Sequence, residues 1–274
     1  MSAAPEARPG RVFVGVRGAL GAHLAQRLCA TPGVIVRAAE RLDAAGHAIE
    51  LDGRLAGCRA AIVEAADPAG ARRALAAAAD AGVGRVVLVV GEDAPPALDE
   101  WARDTRAPEV VLVRVPAIVG PRDDEAPLAR ALVEHAHGRL RALPFERVAL
   151  AGASEVADAI ALALTRGRAG EVYAAPRAVL DASALLDLFE EVTGRPRPRR
   201  PLRAVLGGLL SRPLPLDAPR GASLGHAPAD VRRAIHEAYA DLARRRRVPA
   251  RAGTTEPPLV ERRPSAAPHA ATGT

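Results

Sequence analysis

The chain has 274 residues, enough for one large domain or a core domain with a lobe, and 49% of them are hydrophobic. Its net charge of +6 comes from arginine alone, for the sequence holds no lysine and no asparagine; with only 2% aromatics, no stacking residues interleave those arginines, and a nucleic-acid surface is not expected. No apolar run reaches membrane-spanning length, Met1–Gly10 lacks the apolar centre of a secretory signal, and Cys29 and Cys58 form neither a disulfide framework nor part of a metal-spaced set, so a cytoplasmic protein without a metal is expected.

Residues 1–10 read as a flexible N-terminus. Val12, Phe13 and Val14 form an apolar run suited to a buried parallel strand. Gly15, Gly18 and Gly21 follow at spacing G-x-x-G-x-x-G, and from Ala19 to Ala30 the apolar residues Leu20, Leu24 and Leu28 fall on one helical face. Gly15 permits a tight turn, Gly18 lets the backbone approach a pyrophosphate, and Gly21 lets the helix lie close to the sheet. The N–H groups at the helix start, around Ala19 and Leu20, face the phosphates, with Arg17 beside them.

Val34–Ala39 reads as the second strand, with Glu40 and Arg41 at its end, about twenty residues past the turn, where an adenine ribose is read. Glu40 would accept the ribose hydroxyls and favour NAD. Arg41, helped by Arg17 or Arg37, would pair with a 2′-phosphate and favour NADP, the reading preferred here. Ala48–Leu51 is a candidate short strand with Asp52 near the adenine, and Arg59–Val63 is the next strand. Asp67–Ala81 is an alanine-rich helix ended by Gly82. Arg85–Val90 and Val110–Val115 are parallel-type strands separated by a short helix, Ala97–Thr105. This alternation predicts a doubly wound α/β fold, a Rossmann-like parallel sheet, with residues 11–121 as a dinucleotide-binding core.

Beyond Pro121 the pattern changes. Helices are expected at Pro127–His137, Ser154–Arg166 (capped by Ser154), Asp181–Thr193 with Leu185, Leu188 and Phe189 inward, and Ala229–Arg247, whose four closing arginines suit the helix dipole. Residues 122–247 therefore read as a smaller mixed lobe that returns one strand, about residues 171–174, to the sheet. Residues 248–274 read as a disordered tail.

In this order, the pieces resemble the extended short-chain dehydrogenase/reductase family, which includes NAD-dependent sugar epimerases and dehydratases. Gly15, Gly18 and Gly21 match its glycine pattern. Asp67-Pro68-Ala69-Gly70-Ala71 stands at the family's N-x-x-G-T, and Arg114-Val115-Pro116-Ala117-Ile118-Val119-Gly120-Pro121 resembles R-P-x-x-V-Y-G-P with Val119 for tyrosine. Softer matches are Ser154-Glu155-Val156-Ala157, Gly170-Glu171-Val172-Tyr173 and Leu224-Gly225-His226-Ala227-Pro228. The resemblance implies an NAD(P) cofactor, a small-molecule or sugar-nucleotide ligand and a homodimer.

The catalytic centre departs from the family. Its Tyr-x-x-x-Lys pair is absent, because the chain has no lysine and its two tyrosines, Tyr173 and Tyr239, lie far along the sequence. One register puts Glu92 at the tyrosine position and Pro96 at the lysine position. Three outcomes stand open: dinucleotide binding without catalysis, as a sensor, scaffold or partner subunit; oxidoreductase or epimerase chemistry with Glu92 as the substitute acid or base; and the fold without a nucleotide. Asp99 and Glu100 read as helix-surface charges, His135 and His137 as a surface pair, and Arg195–Arg203 as a solvated basic loop. Trp101 reads as an anchor for its short helix. Arg114 suits either a ligand phosphate or an ion pair.

Overall fold

A computed structural model describes residues 10–16, 18–38, 54–105, 108–123, 126–198 and 221–249. The candidate residues Arg17, Glu40, Arg41 and Asp52, and the candidate strand at 48–51, lie outside them. The chain enters through β1 (Gly10–Gly15), α1 (Gly18–Cys29) and β2 (Val34–Ala38), and continues through β3 (Ala60–Glu64), α2 (Pro68–Asp80), β4 (Arg85–Gly91), α3 (Ala97–Asp104) and β5 (Glu109–Val115). These strands, joined by β8 (Val172–Ala174), form a six-stranded sheet in the order β2-β1-β3-β4-β5-β8. Every pairing in it is parallel. The fold is a doubly wound α/β fold of Rossmann type.

Strand alternation explains why both faces are covered. Val12, Val14, Ile62, Val87, Val89, Val111 and Val113 point to one side, where Leu20, Leu24 and Leu28 of α1 pack with Val156, Ala157, Ile160 and Ala163. Those last four belong to α5 (Ala153–Arg166). Phe13, Ala61, Val63, Val86, Leu88, Val90, Val110 and Leu112 point to the other side, against α2 and α3. A strand buried on both faces has no polar alternation, hence the unbroken valine runs.

Asp67 shows why its helix begins where it does. Its side chain accepts from the Gly70 N–H at 2.6 Å, and Pro68 fills the first helical position, where no N–H is needed. At α5 the cap differs from expectation. The helix starts at Ala153, so Ser154 falls inside the first turn; Gly152 is the N-cap, and Glu155 Oε2 accepts its N–H at 3.1 Å.

After β5 the chain forms a second, three-stranded sheet that the sequence did not signal. It comprises β6 (Ala117–Val119), β7 (Arg147–Gly152) and β9 (Ala178–Asp181), in the order β6-β7-β9. The first pair is parallel and the second antiparallel. With α4 (Pro127–Ala136), α6 (Ala182–Thr193) and α7 (Val231–Arg244), this sheet surrounds its own apolar cluster built on Leu132, Leu150, Leu185, Phe189, Ile235 and Leu242. The expected last helix is shorter than its arginine run. α7 ends at Arg244, and Arg246 takes a positive φ of 55°, so only one arginine occupies the last turn. Val248 is buried, and the Pro249 carbonyl accepts the Tyr239 hydroxyl at 2.7 Å.

Candidate functional site

Strand order reverses around β1: β2 lies on one side and β3 on the other. In such sheets the crevice at the carboxyl ends of the strands is where ligands sit. Gly15 closes β1 at that crevice, paired with Val63. Gly18 opens α1 with φ +59°, a left-handed backbone suited to glycine. At Gly21 a Cβ would collide with the carbonyl oxygen of Val16, so only glycine allows α1 to pack this closely on the turn. Ala19 and Leu20 are buried in the first turn of α1, with Ala19 fully inaccessible. Among the described residues, Gly18, Ala19 and Leu20 therefore bring backbone rather than exposed side chains to the head of the helix.

What meets Gly18 comes from far along the chain. The Asp123 carboxylate lies against it, with Oδ1 3.3 Å from where a Cβ would stand. Asp123 follows Arg122, which has a positive φ of 66° and donates its N–H to Asp241 Oδ2 at 2.9 Å. Asp241 is itself a buried charge on α7 and also accepts from Arg244 and Arg245. His23, on α1, is held below the usual histidine range chiefly by burial, opposed by Glu237, reinforced by Arg122 and opposed again by Asp158.

Glu92 lies just past β4 on the same edge of the sheet, its N–H bonded to the Val115 carbonyl. Both carboxylate oxygens accept from Arg177 Nη1, at 3.1 and 3.0 Å. The pair is largely buried, with side-chain exposures of 10% for Arg177 and 15% for Glu92. Arg177 sits between β8 and β9. The sequence carried no signal for it, because the two residues meet only once β8 has returned beside β5.

Arg114 has a structural role. It is 1% exposed and pairs with Asp99 through Nε at 3.0 Å and Nη2 at 2.6 Å. Its remaining donors reach the carbonyls of Gly91, Glu92, Ala94 and Pro95. Arg114 therefore clamps the β4–α3 loop from below, and Asp99 is its counter-ion rather than a surface charge. His135 also differs from expectation. It is 2% exposed, bonded through Nδ1 to Thr193 Oγ1 at 3.0 Å and packed against Phe189. The helix that carries it is covered by α6, so the ring is a core group; His137 stays at the surface, bonded to the Arg247 carbonyl. Trp101 packs on the core as expected, with the Arg72 guanidinium over its ring. Arg197 pairs with Asp187 at 2.9 Å on the surface.

No protein-family model matches the chain. In sequence, sterol demethylase protein B of Methylococcus capsulatus is 35% identical over 113 residues, which is 40% of this chain and 34% of that protein, about a third of its length. In structure, a nucleoside-diphosphate-sugar epimerase from Pseudomonas aeruginosa superposes with a TM-score of 0.65 at 20% identity, covering 88% of this chain and 100% of that one. A dTDP-glucose 4,6-dehydratase from Streptomyces venezuelae, solved with NAD, gives 0.60 at 21%, covering 86% and 98%. A UDP-glucuronic acid 4-epimerase from Bacillus cereus, solved with UDP-glucuronic acid and NAD, gives 0.61 at 12%, covering 86% and 99%. The chain has the fold of these epimerases and this dehydratase.

Within this fold, the structure brings Gly15, Gly18, Ala19, Leu20, Gly21 and Glu92 to one edge of the sheet. It assigns Arg37 elsewhere: Arg37 Nη1 donates to the Arg54 and Ala56 carbonyls, at 2.8 and 3.3 Å, which commits that guanidinium to the chain itself. Asp123, Asp241 and Arg177 are the residues that sequence reasoning missed. The acidic run after Pro121 was visible, but nothing in it signalled a contact with Gly18.

Proposed function

We propose that this chain binds a nicotinamide dinucleotide at the glycine turn and does so without the hydride-transfer chemistry usual for its fold. The observation that carries the binding half is the turn itself: a left-handed Gly18 and a sterically obligatory Gly21 at the head of α1, at the point where strand order reverses. The cradle suits an anion through its backbone, because no side chain stands at Gly18 or Gly21 and the first N–H groups of α1 have no partner within the helix. Gly15, Gly18, Ala19, Leu20 and Gly21 would hold the diphosphate, while Glu40, Arg41, Arg17 and Asp52 would read the adenosine end. With Arg37 bonded to the Arg54 and Ala56 carbonyls, a preference for NADP rests on Arg41 and Arg17. Solved neighbours that hold NAD or a uridine-diphosphate sugar support a dinucleotide and a sugar-nucleotide as the ligand classes.

A bound nicotinamide supplies a hydride donor or acceptor; a proton-transfer group must then lie within hydrogen-bond reach of the substrate. At the sheet edge that role falls to Glu92, and both of its oxygens are already bonded to Arg177. Arg114 further ties down the loop on which Glu92 stands. These contacts, with the lysine-free sequence, support a binding role as sensor, scaffold or partner subunit. The test is turnover. Nucleotide sugars and simple ketones incubated with NAD, NADH or NADPH should show no absorbance change above the blank and no new sugar product by chromatography. Robust turnover, lost in Glu92→Gln, would reject the proposal and identify Glu92 as the substitute acid.

A further inference from the structure

His135 stands at the joint between α4 and α6. It is 2% exposed, and its Nε2 has no hydrogen-bond partner among the described residues. The bonds around Thr193 fix which ring nitrogen carries the hydrogen. The Thr193 hydroxyl donates to the Phe189 carbonyl at 2.7 Å and accepts the Arg195 N–H at 3.1 Å. Towards His135 Nδ1, at 3.0 Å, its oxygen therefore offers only a lone pair, so Nδ1 donates and the neutral ring leaves Nε2 bare. We infer that His135 is a proton-operated release between α4 and α6: the neutral ring locks the two helices together, and a proton taken up at Nε2 opens the joint while the parallel sheet stays folded.

Both helices contribute to the lock. Nδ1 reaches Thr193 at the end of α6, and the ring packs tilted against Phe189, their centroids 5.7 Å apart. Protonation leaves these contacts in place but puts an N–H and a positive charge where no acceptor stands, a cost that is relieved when the helices part and water enters. The surrounding charges do not offset it. Burial is the largest influence and holds the ring below the usual histidine range, Glu190 of α6 opposes it, and Arg195 reinforces it. Arg195 also lies over the end of α4, its Nη1 3.0 Å from where a Gly138 Cβ would stand, so a positive charge already occupies that side. On α4 itself, Glu134 is paired with Arg139, and His137 at its end is bonded to the Arg247 carbonyl. Of the other elements packed on α4, α7 brings Tyr239, whose hydroxyl is bonded to the Pro249 carbonyl, and β6 brings no ionisable side chain. The joint belongs to the apolar cluster of the three-stranded sheet, whose buried residues are distinct from those of the two clusters on the parallel sheet. Opening there leaves the parallel sheet packed. The release requires no ligand at the glycine turn.

The experiment is hydrogen exchange read by mass spectrometry on full-length wild type, His135→Phe and His135→Gln from pH 8 to pH 5, corrected for the intrinsic exchange rate. The released ring has an ordinary pKa near 6.5 and the locked ring a lower one, so the joint is fully closed above that value and opens as pH falls below it. Opening of α4 and α6 in wild type should rise by up to about thirtyfold across the range. Peptides from β4 and β5 should keep their protection at every pH, and neither variant should show the rise, because neither carries an ionisable group at this position. An equal rise in a variant, or one shared by β4 and β5, overturns the release. Where a variant does not fold, wild type decides through the same regional comparison and through a long-range proton–nitrogen spectrum of the ring above pH 7. Hydrogen on Nδ1 with Nε2 bare is the expected spectrum, and hydrogen on Nε2 overturns the assignment.

Discussion

Arg114 is the residue on which the β4–α3 loop depends. A buried guanidinium bonded to one carboxylate and four carbonyls cannot lose its head group without leaving those acceptors unpaired. Arg114→Met should therefore cost about 3–5 kcal/mol in denaturant unfolding. Asp99→Asn added to it should restore part of the loss, because it removes the stranded charge. Arg114→Lys should also destabilise, since a single ammonium cannot span the same acceptors. His135 gives a second prediction at this scale. Burial holds its pKa below the usual histidine value, an effect that Glu190 opposes and Arg195 reinforces. In the unfolded chain the ring takes up its proton near pH 6.5; in the folded chain it does so only at lower pH. Stability is therefore full above the unfolded value and is lost as pH falls through and below it. Unfolding free energies measured from pH 8 to pH 5 should fall more steeply for wild type than for His135→Gln. Parallel curves would refute the assignment.

At the scale of elements, α1 links the sheet to the candidate site. Its Leu20, Leu24 and Leu28 pack on the β1 side of the sheet beside α5, and Leu24 is fully buried. Leu24→Ala should cost about 2–5 kcal/mol by unfolding, with dinucleotide binding surviving in the folded fraction. Gly21→Ala should do more harm than its size suggests, because the added methyl collides with the Val16 carbonyl and forces α1 off the turn. The sequence revealed β1, α1, β2, β4 and β5 because long valine runs and a leucine stripe at helical spacing are strong local signals. It did not reveal β6, β7 and β9. These strands are three, six and four residues long. Their alanine-rich segments resemble the helices around them, and only their mutual pairing makes them strands.

For the whole molecule, legibility ended where distant segments meet. The parallel sheet and its glycine turn could be read from local pattern. The meeting of Glu92 with Arg177 depends on β8 returning to β5, that of Arg114 with Asp99 on α3 packing back on β5, and that of Asp123 with Gly18 on the loop after β6, which Asp241 of α7 holds at Arg122. Those contacts also change the functional reading. The residue best placed to move a proton is bonded to a guanidinium, and the cradle best placed to hold a phosphate faces a carboxylate. The fold matches solved epimerases and a dehydratase along most of its length, while the groups along its sheet edge are tied to one another. The measurement that tests this account most directly is a calorimetric titration of wild type and Gly18→Asp with NAD, NADH, NADP and NADPH. Saturable binding of at least one dinucleotide to wild type, abolished in a folded Gly18→Asp, is the predicted result. Absence of binding to wild type, or binding that Gly18→Asp leaves unchanged, would contradict it.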